Sequence, residues 1–123
     1  MPRASYFEFY VDDPEEVTRF YTEVFGWEIE KWEGPFDYWT IKTGEEGEPG
    51  IDGGIMKRPE DQPIATSITM NVPDLDEYAG KVTASGGEIV VPKASIPGVG
   101  YMAYCIDTQG NVFGLMQLDP SVQ

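Results

Sequence analysis

The chain repeats itself. Residues 6–17, YFEFYVDDPEEV, and residues 67–78, SITMNVPDLDEY, each carry an alternating strand straight into a helix start. Val11 and Val72, Asp13 and Asp74, and Glu16 and Glu77 are each separated by 61 residues. Ile29 and Ile89 lie 60 apart, as do Gly50 and Gly110, Gly54 and Gly114, and Met56 and Met116. A capped helix after a strand is common, and one such match could be chance. Holding nearly one offset through a strand, a helix, a second strand and a closing strand requires two tandem copies of one unit.

Within each copy the local signals agree. Phe7, Phe9 and Val11 alternate with Tyr6, Glu8 and Tyr10, the period of a strand with two unlike faces. Asp13 is placed to cap a helix, Pro14 suits its first position, and Glu16 completes an Asp-type capping box. Val17, Phe20, Tyr21 and Val24 follow at helical spacing, and Gly26 supplies a left-handed terminator. In the second copy Ile68, Met70 and Val72 alternate with Ser67, Thr69 and Asn71. Asp74 caps, Leu75, Tyr78 and Val82 form the stripe, and Gly86 and Gly87 end the helix. Three strands follow each helix, near WEIEKWEG, DYWTIKT and GIDGGIMK, then near EIVVPKA, GYMAYCID and NVFGLMQ. The fold class is therefore α+β, two βαβββ modules at about 4–58 and 64–118 within one domain, with RPEDQP (58–63) as the linker. A lone module would leave one sheet face bare. Two side by side are expected to form a curved eight-stranded cup with the helices on its convex side.

Composition narrows the function classes. With 22 acidic and 8 basic residues the net charge is −14, a field that repels phosphate backbones and anionic lipid. No nucleic-acid or membrane partner is expected, and no apolar run approaches the roughly 20 residues of a membrane span. The start, MPRASYFEF, lacks the apolar stretch of a signal peptide, and the single Cys105 suits a reducing, cytoplasmic setting. There is no histidine.

DDPEEVTRFYTEVFGW (12–27), VPDLDEYAGKVTASGGEIVVPK (72–93), IPGVGYMAY (96–104) and DTQGNVFGLMQ (107–117) resemble the glyoxalase, bleomycin-resistance and extradiol-dioxygenase superfamily, the vicinal oxygen chelate fold. The resemblance covers essentially the whole chain. It implies a homodimer, and a divalent metal held by a histidine on the first strand and a glutamate on the last strand of each copy. Those positions fall on Tyr6 and Ser67, and on Gly54 and Gly114. Glycine offers no side chain, serine is a weak donor, and a phenol ligates well only after losing a proton with pKa near 10. No metal and no other cofactor is expected.

If the first-strand position faces inward, its alternates do too. The cup is then lined by Tyr6, Glu8, Tyr10, Gly54 and Met56 from one copy, and by Ser67, Thr69, Asn71, Gly114 and Met116 from the other. The glycines are expected to leave room, and the methionines to supply adaptable apolar surface. That lining suits a small hydrophobic or aromatic ligand. Glu8 is a candidate general base with Tyr6 beside it, or a partner for a ligand cation; otherwise it is a structural carboxylate bonded to Tyr10 or Thr69. Tyr38, Trp39, Tyr101 and Tyr104 are candidates to stack on a planar ligand or to fill the core. SIPGVGY is expected to overhang the cup or merely to connect strands. Two rival readings remain: a lyase, isomerase or dioxygenase relative acting through Glu8 and Tyr6 or a nonstandard metal, and a dimeric scaffold.

Overall fold

The computed structural model describes residues 2–61 and 63–123; Met1, and Gln62 inside the expected linker, lie outside them. The elements run β1 Arg3–Val11, α1 Pro14–Phe25, β2 Glu28–Lys31, β3 Trp39–Lys42, β4 Asp52–Lys57, β5 Thr66–Asn71, α2 Leu75–Ala84, β6 Glu88–Ile96, β7 Gly100–Ile106 and β8 Val112–Leu118. The βαβββ order thus occurs twice, in an α+β fold of eight strands and two helices. Contacts divide the chain into two compact units, Tyr6–Thr66 and Ser67–Gln123, the second also taking in the start of β1.

In the first unit the strand order is β2-β3-β4-β1, with β1 and β4 parallel and the other pairs antiparallel. Asp13 adopts an extended conformation and its carboxylate accepts from the Glu16 amide at 3.1 Å, so α1 starts where the capping box places it. Gly26 ends it at φ 71°, a left-handed conformation that costs a residue with a Cβ. Phe7, Phe9 and Val11 turn to the helix side and pack with Trp39, Ile41 and Ile55, joined by Val17, Trp27 and Ile29. The stack continues through Tyr21, whose ring lies 5.1 Å from Phe9 and 5.2 Å from Trp27. Only the Val17–Tyr21 ridge of the expected apolar stripe is partly buried. Phe20 and Val24 sit one ridge further round the helix and are 54% and 55% exposed.

In the second unit the order is β5-β8-β7-β6, again with the first and last strands parallel. Asp74 accepts from the Glu77 amide at 3.1 Å and caps α2. The core gathers Val72, Leu75, Ala103, Cys105 and Leu115, with Met70, Tyr78 and Val82 against it. It centres on the start of α2, close in sequence to Val72 and Met70; Ile68 lies outside it and is 37% exposed. SIPGVGY is a tight hairpin turn, closed by the Val99 amide on the Ile96 carbonyl at 2.9 Å with Gly98 at φ 76°. It connects β6 to β7. No helix among the described residues is long and apolar enough to cross a membrane.

Candidate functional site

The duplication survives as register. Glu8 pairs with Gly54 and Tyr10 with Met56 across β1 and β4, while Thr69 pairs with Gly114 and Asn71 with Met116 across β5 and β8. Because side chains alternate along a strand, the residues between the helix-facing ones share the opposite face of their own sheet. In the first unit that face carries Tyr6, Glu8, Tyr10 and Met56. In the second it carries Ser67, Thr69, Asn71 and Met116.

The first unit brings its candidates together around one carboxylate. Glu8 is 4% exposed, and its Oε1 accepts from the Tyr10 hydroxyl at 2.8 Å. Its Oε2 accepts from the Tyr38 hydroxyl at 2.6 Å, and Tyr38 in turn meets the Tyr6 hydroxyl at 2.8 Å. Four side chains therefore form one network, Tyr10–Glu8–Tyr38–Tyr6. Burial pushes the Tyr6 phenol up to about 12; the charges of Glu8 and Asp52 act in the same direction, and the Tyr38 hydroxyl acts against them. Tyr38 is raised as well, by burial first and then by the charge of Glu8. Both phenols therefore keep their protons at neutral pH.

Tyr38 also corrects the expectation of empty space. A Cβ added at Gly54 would run into the hydroxyl, Cζ and ring of Tyr38, so the phenol fills the place that a side chain at this position would occupy. Gly114 is filled likewise in the second unit: a Cβ there would meet Met102 Cε at 2.6 Å and Thr69 Oγ1 at 2.9 Å. The glycines admit neighbouring side chains from their own sheets. Among the described residues Thr69 Oγ1 is one of two buried hydroxyls without a hydrogen-bond partner, the other being Thr18 Oγ1.

Alternation held a signal for Tyr38. Trp39 and Ile41 are buried on the helix side, and Tyr38 precedes them with the opposite parity, just outside β3. Its bond to Glu8 spans 30 residues and a segment without regular structure, which no local pattern records. The same segment brings Trp32 and Phe36 against Tyr38, with ring centroids 6.1 and 6.0 Å away. Of the other aromatic candidates, Trp39 belongs to the core, and Tyr101 packs against the second core with Lys93 Nζ 4.4 Å from its ring centroid. A separate concavity of about 410 Å³ lies at the start of α1, lined by Val11, Asp12, Asp13, Glu16, Val17 and Phe20. Two of its carboxylates have structural tasks: Asp13 caps α1, and Asp12 takes the Arg58 guanidinium at 2.9 Å.

A model of the Glyoxalase/Bleomycin resistance protein/Dioxygenase superfamily matches residues 3–115. The chain belongs to that superfamily. Two curated relatives, CFP32 of Mycobacterium bovis and CFP32 of Mycobacterium tuberculosis, each provisionally named a glyoxylase, are 30% identical to this superfamily member over 116 residues. The match takes in 92% of this chain and 43% of theirs, so the chain spans less than half the length of those relatives. Among solved structures, a methylmalonyl-CoA epimerase in complex with methylmalonyl-CoA and NH4+ aligns with a TM-score of 0.74 at 13% identity, covering 100% of this chain and 99% of that one. A hypothetical protein from Bacillus halodurans aligns at 0.71 and 12% identity, covering 96% and 95%. At such identities these likenesses concern the fold.

The divalent metal implied by the superfamily can be tested against the residues present. Among the described residues no three of histidine, cysteine, aspartate and glutamate gather in metal-binding reach. On the face that carries Tyr6, Glu8 accepts from the Tyr10 and Tyr38 hydroxyls, burial raises the Tyr38 phenol, and that phenol fills the place beside Gly54. A protonated phenol is a poor ligand, and these residues do not fit a divalent ion.

Proposed function

We propose that this superfamily member binds a small hydrophobic or aromatic molecule without a metal, on the sheet face of the first unit that carries Tyr6 and Glu8. One observation carries the reading: the phenol of Tyr38 stands where a side chain at position 54 would be and donates to Glu8. The polar centre of this face is thereby a hydrogen-bonded network of phenols around one carboxylate. Trp32 and Phe36 add an aromatic border, with Phe36 45% exposed, and Met56 adds an adaptable apolar group. In the second unit Ser67, Thr69, Asn71 and Met116 offer the counterpart surface, with hydroxyl and amide groups in place of the carboxylate. Both carboxylate oxygens of Glu8 already accept a phenol proton, an arrangement that favours holding a ligand over abstracting its proton.

The test is a thermal-shift screen of small aromatic alcohols and amines on protein purified without a metal-binding tag. Ligand-dependent stabilisation is expected to be the same before and after exhaustive chelation. Near-stoichiometric zinc, nickel, iron or manganese in elemental analysis, with stabilisation lost on chelation and restored by the ion, would sink the metal-free reading.

A further inference from the structure

The hydrogen bonds around Glu8 have a direction, and that direction sets what the site can recognise. A carboxylate has acceptor atoms only, and a phenol has one proton and an oxygen that can also accept. Tyr38 places its proton on Glu8 Oε2 at 2.6 Å. It has none left for Tyr6, so across the 2.8 Å contact between the two hydroxyls Tyr6 must be the donor and Tyr38 the acceptor. The chain runs one way, from Tyr6 through Tyr38 to Glu8. Its outer end is Tyr6 Oη, whose only proton is committed inward and whose lone pairs remain. Among the described residues no donor reaches that oxygen.

We propose that the Tyr6 end of this chain selects ligands that present an N–H or O–H donor on an apolar or aromatic body, neutral or cationic, and rejects anions. This rests on the metal-free binding reading above and names the ligand class for it. Three further observations support the polarity. Asp52 pairs with Tyr6 across β1 and β4, so a second carboxylate stands close to the phenol. Trp32, Phe36 and Tyr38 present ring faces and edges beside the network, a surface that suits an aromatic body and tolerates a cation. The chain as a whole carries −14, which disfavours the approach of an anion. An acceptor such as a carboxylate or phosphate would meet a lone pair on Tyr6 and could bond there only by breaking the Tyr6–Tyr38 link.

Four probes with one ring separate the possibilities: benzylammonium, benzyl alcohol, toluene and benzoate, titrated into the full chain and followed by amide and indole NMR shifts. Benzylammonium and benzyl alcohol are expected to bind about fivefold more tightly than toluene and benzoate, the size of one modest hydrogen bond. Their shifts are expected at Tyr6, Tyr38 and Trp32. In Tyr6→Phe, which leaves the Tyr38–Glu8 bond in place, the margin of benzyl alcohol over toluene should disappear while the thermal midpoint stays close to that of the parent chain. Benzoate binding as well as benzylammonium, or a donor margin that survives Tyr6→Phe, overturns the donor selectivity and leaves ligand binding standing. Absence of binding by all four overturns both.

Discussion

At the scale of single residues, Gly54 and Tyr38 are one feature. The glycine has an extended backbone partner in Glu8 and no need of a left-handed conformation; what it supplies is the absence of a Cβ where a phenol must pass. Tyr38 then reaches Glu8 and gives the buried carboxylate a short donor. Gly54→Ala is expected to displace Tyr38 and to cost about 1–3 kcal/mol, the usual range for overpacking a filled site. In a Tyr38→Ala background the same change should cost little, because the obstructing ring is gone. Urea denaturation of the four chains forms a double-mutant cycle that reads this coupling. Additive costs would mean that Gly54 matters for some reason other than Tyr38. Strand alternation set Glu8 apart from the helix-facing residues, and its bond to Tyr10 was one of the alternatives the sequence left open. Its second partner was not among them.

At the scale of elements, the two helices follow their sequence signals closely. Each begins at an aspartate whose carboxylate accepts from the amide three residues later, at 3.1 Å in both units. Asp13→Ala and Asp74→Ala should each lower stability by about 1 kcal/mol, with asparagine at either site nearly neutral. Equilibrium urea unfolding checks this, and a loss well below 0.5 kcal/mol, roughly the floor for such caps, would show that the box is dispensable. The helices differ in what they bury. Leu75 of α2 is 1% exposed, whereas α1 has no fully buried residue and relies on the Phe9–Tyr21–Trp27 stack. The linker is anchored at its start, where the Arg58 guanidinium bonds Asp12, the Tyr10 carbonyl at 3.1 Å and the Ile64 carbonyl at 3.0 Å. Its amide adds a bond to the Val11 carbonyl at 2.7 Å.

At the scale of the molecule, charge is the dominant unsatisfied term. The ion pairs among described residues are surface pairs such as Lys81–Glu77 at 3.2 Å and Lys42–Glu28 at 3.7 Å, each worth little. Each joins one positive to one negative charge, so the whole −14 remains unbalanced. The thermal midpoint is therefore expected to rise with sodium chloride between about 0.01 and 1 M, as the screening length falls from roughly 30 Å to roughly 3 Å. A midpoint that is flat or falling over that range would show that self-repulsion is not limiting. The duplication, the strand and helix order, the caps and the helix-facing side of β1 were legible in the amino-acid order, because each depends on a period or a spacing within one element. Superfamily membership was legible for the same reason. The filling of Gly54 by Tyr38, the shared proton chain to Tyr6 and the aromatic border of Trp32 and Phe36 were not. They arise where a segment of irregular backbone folds onto a strand some 30 residues away. Contact there is set by shape and by the direction of single hydrogen bonds, and neither leaves a periodic trace in the chain.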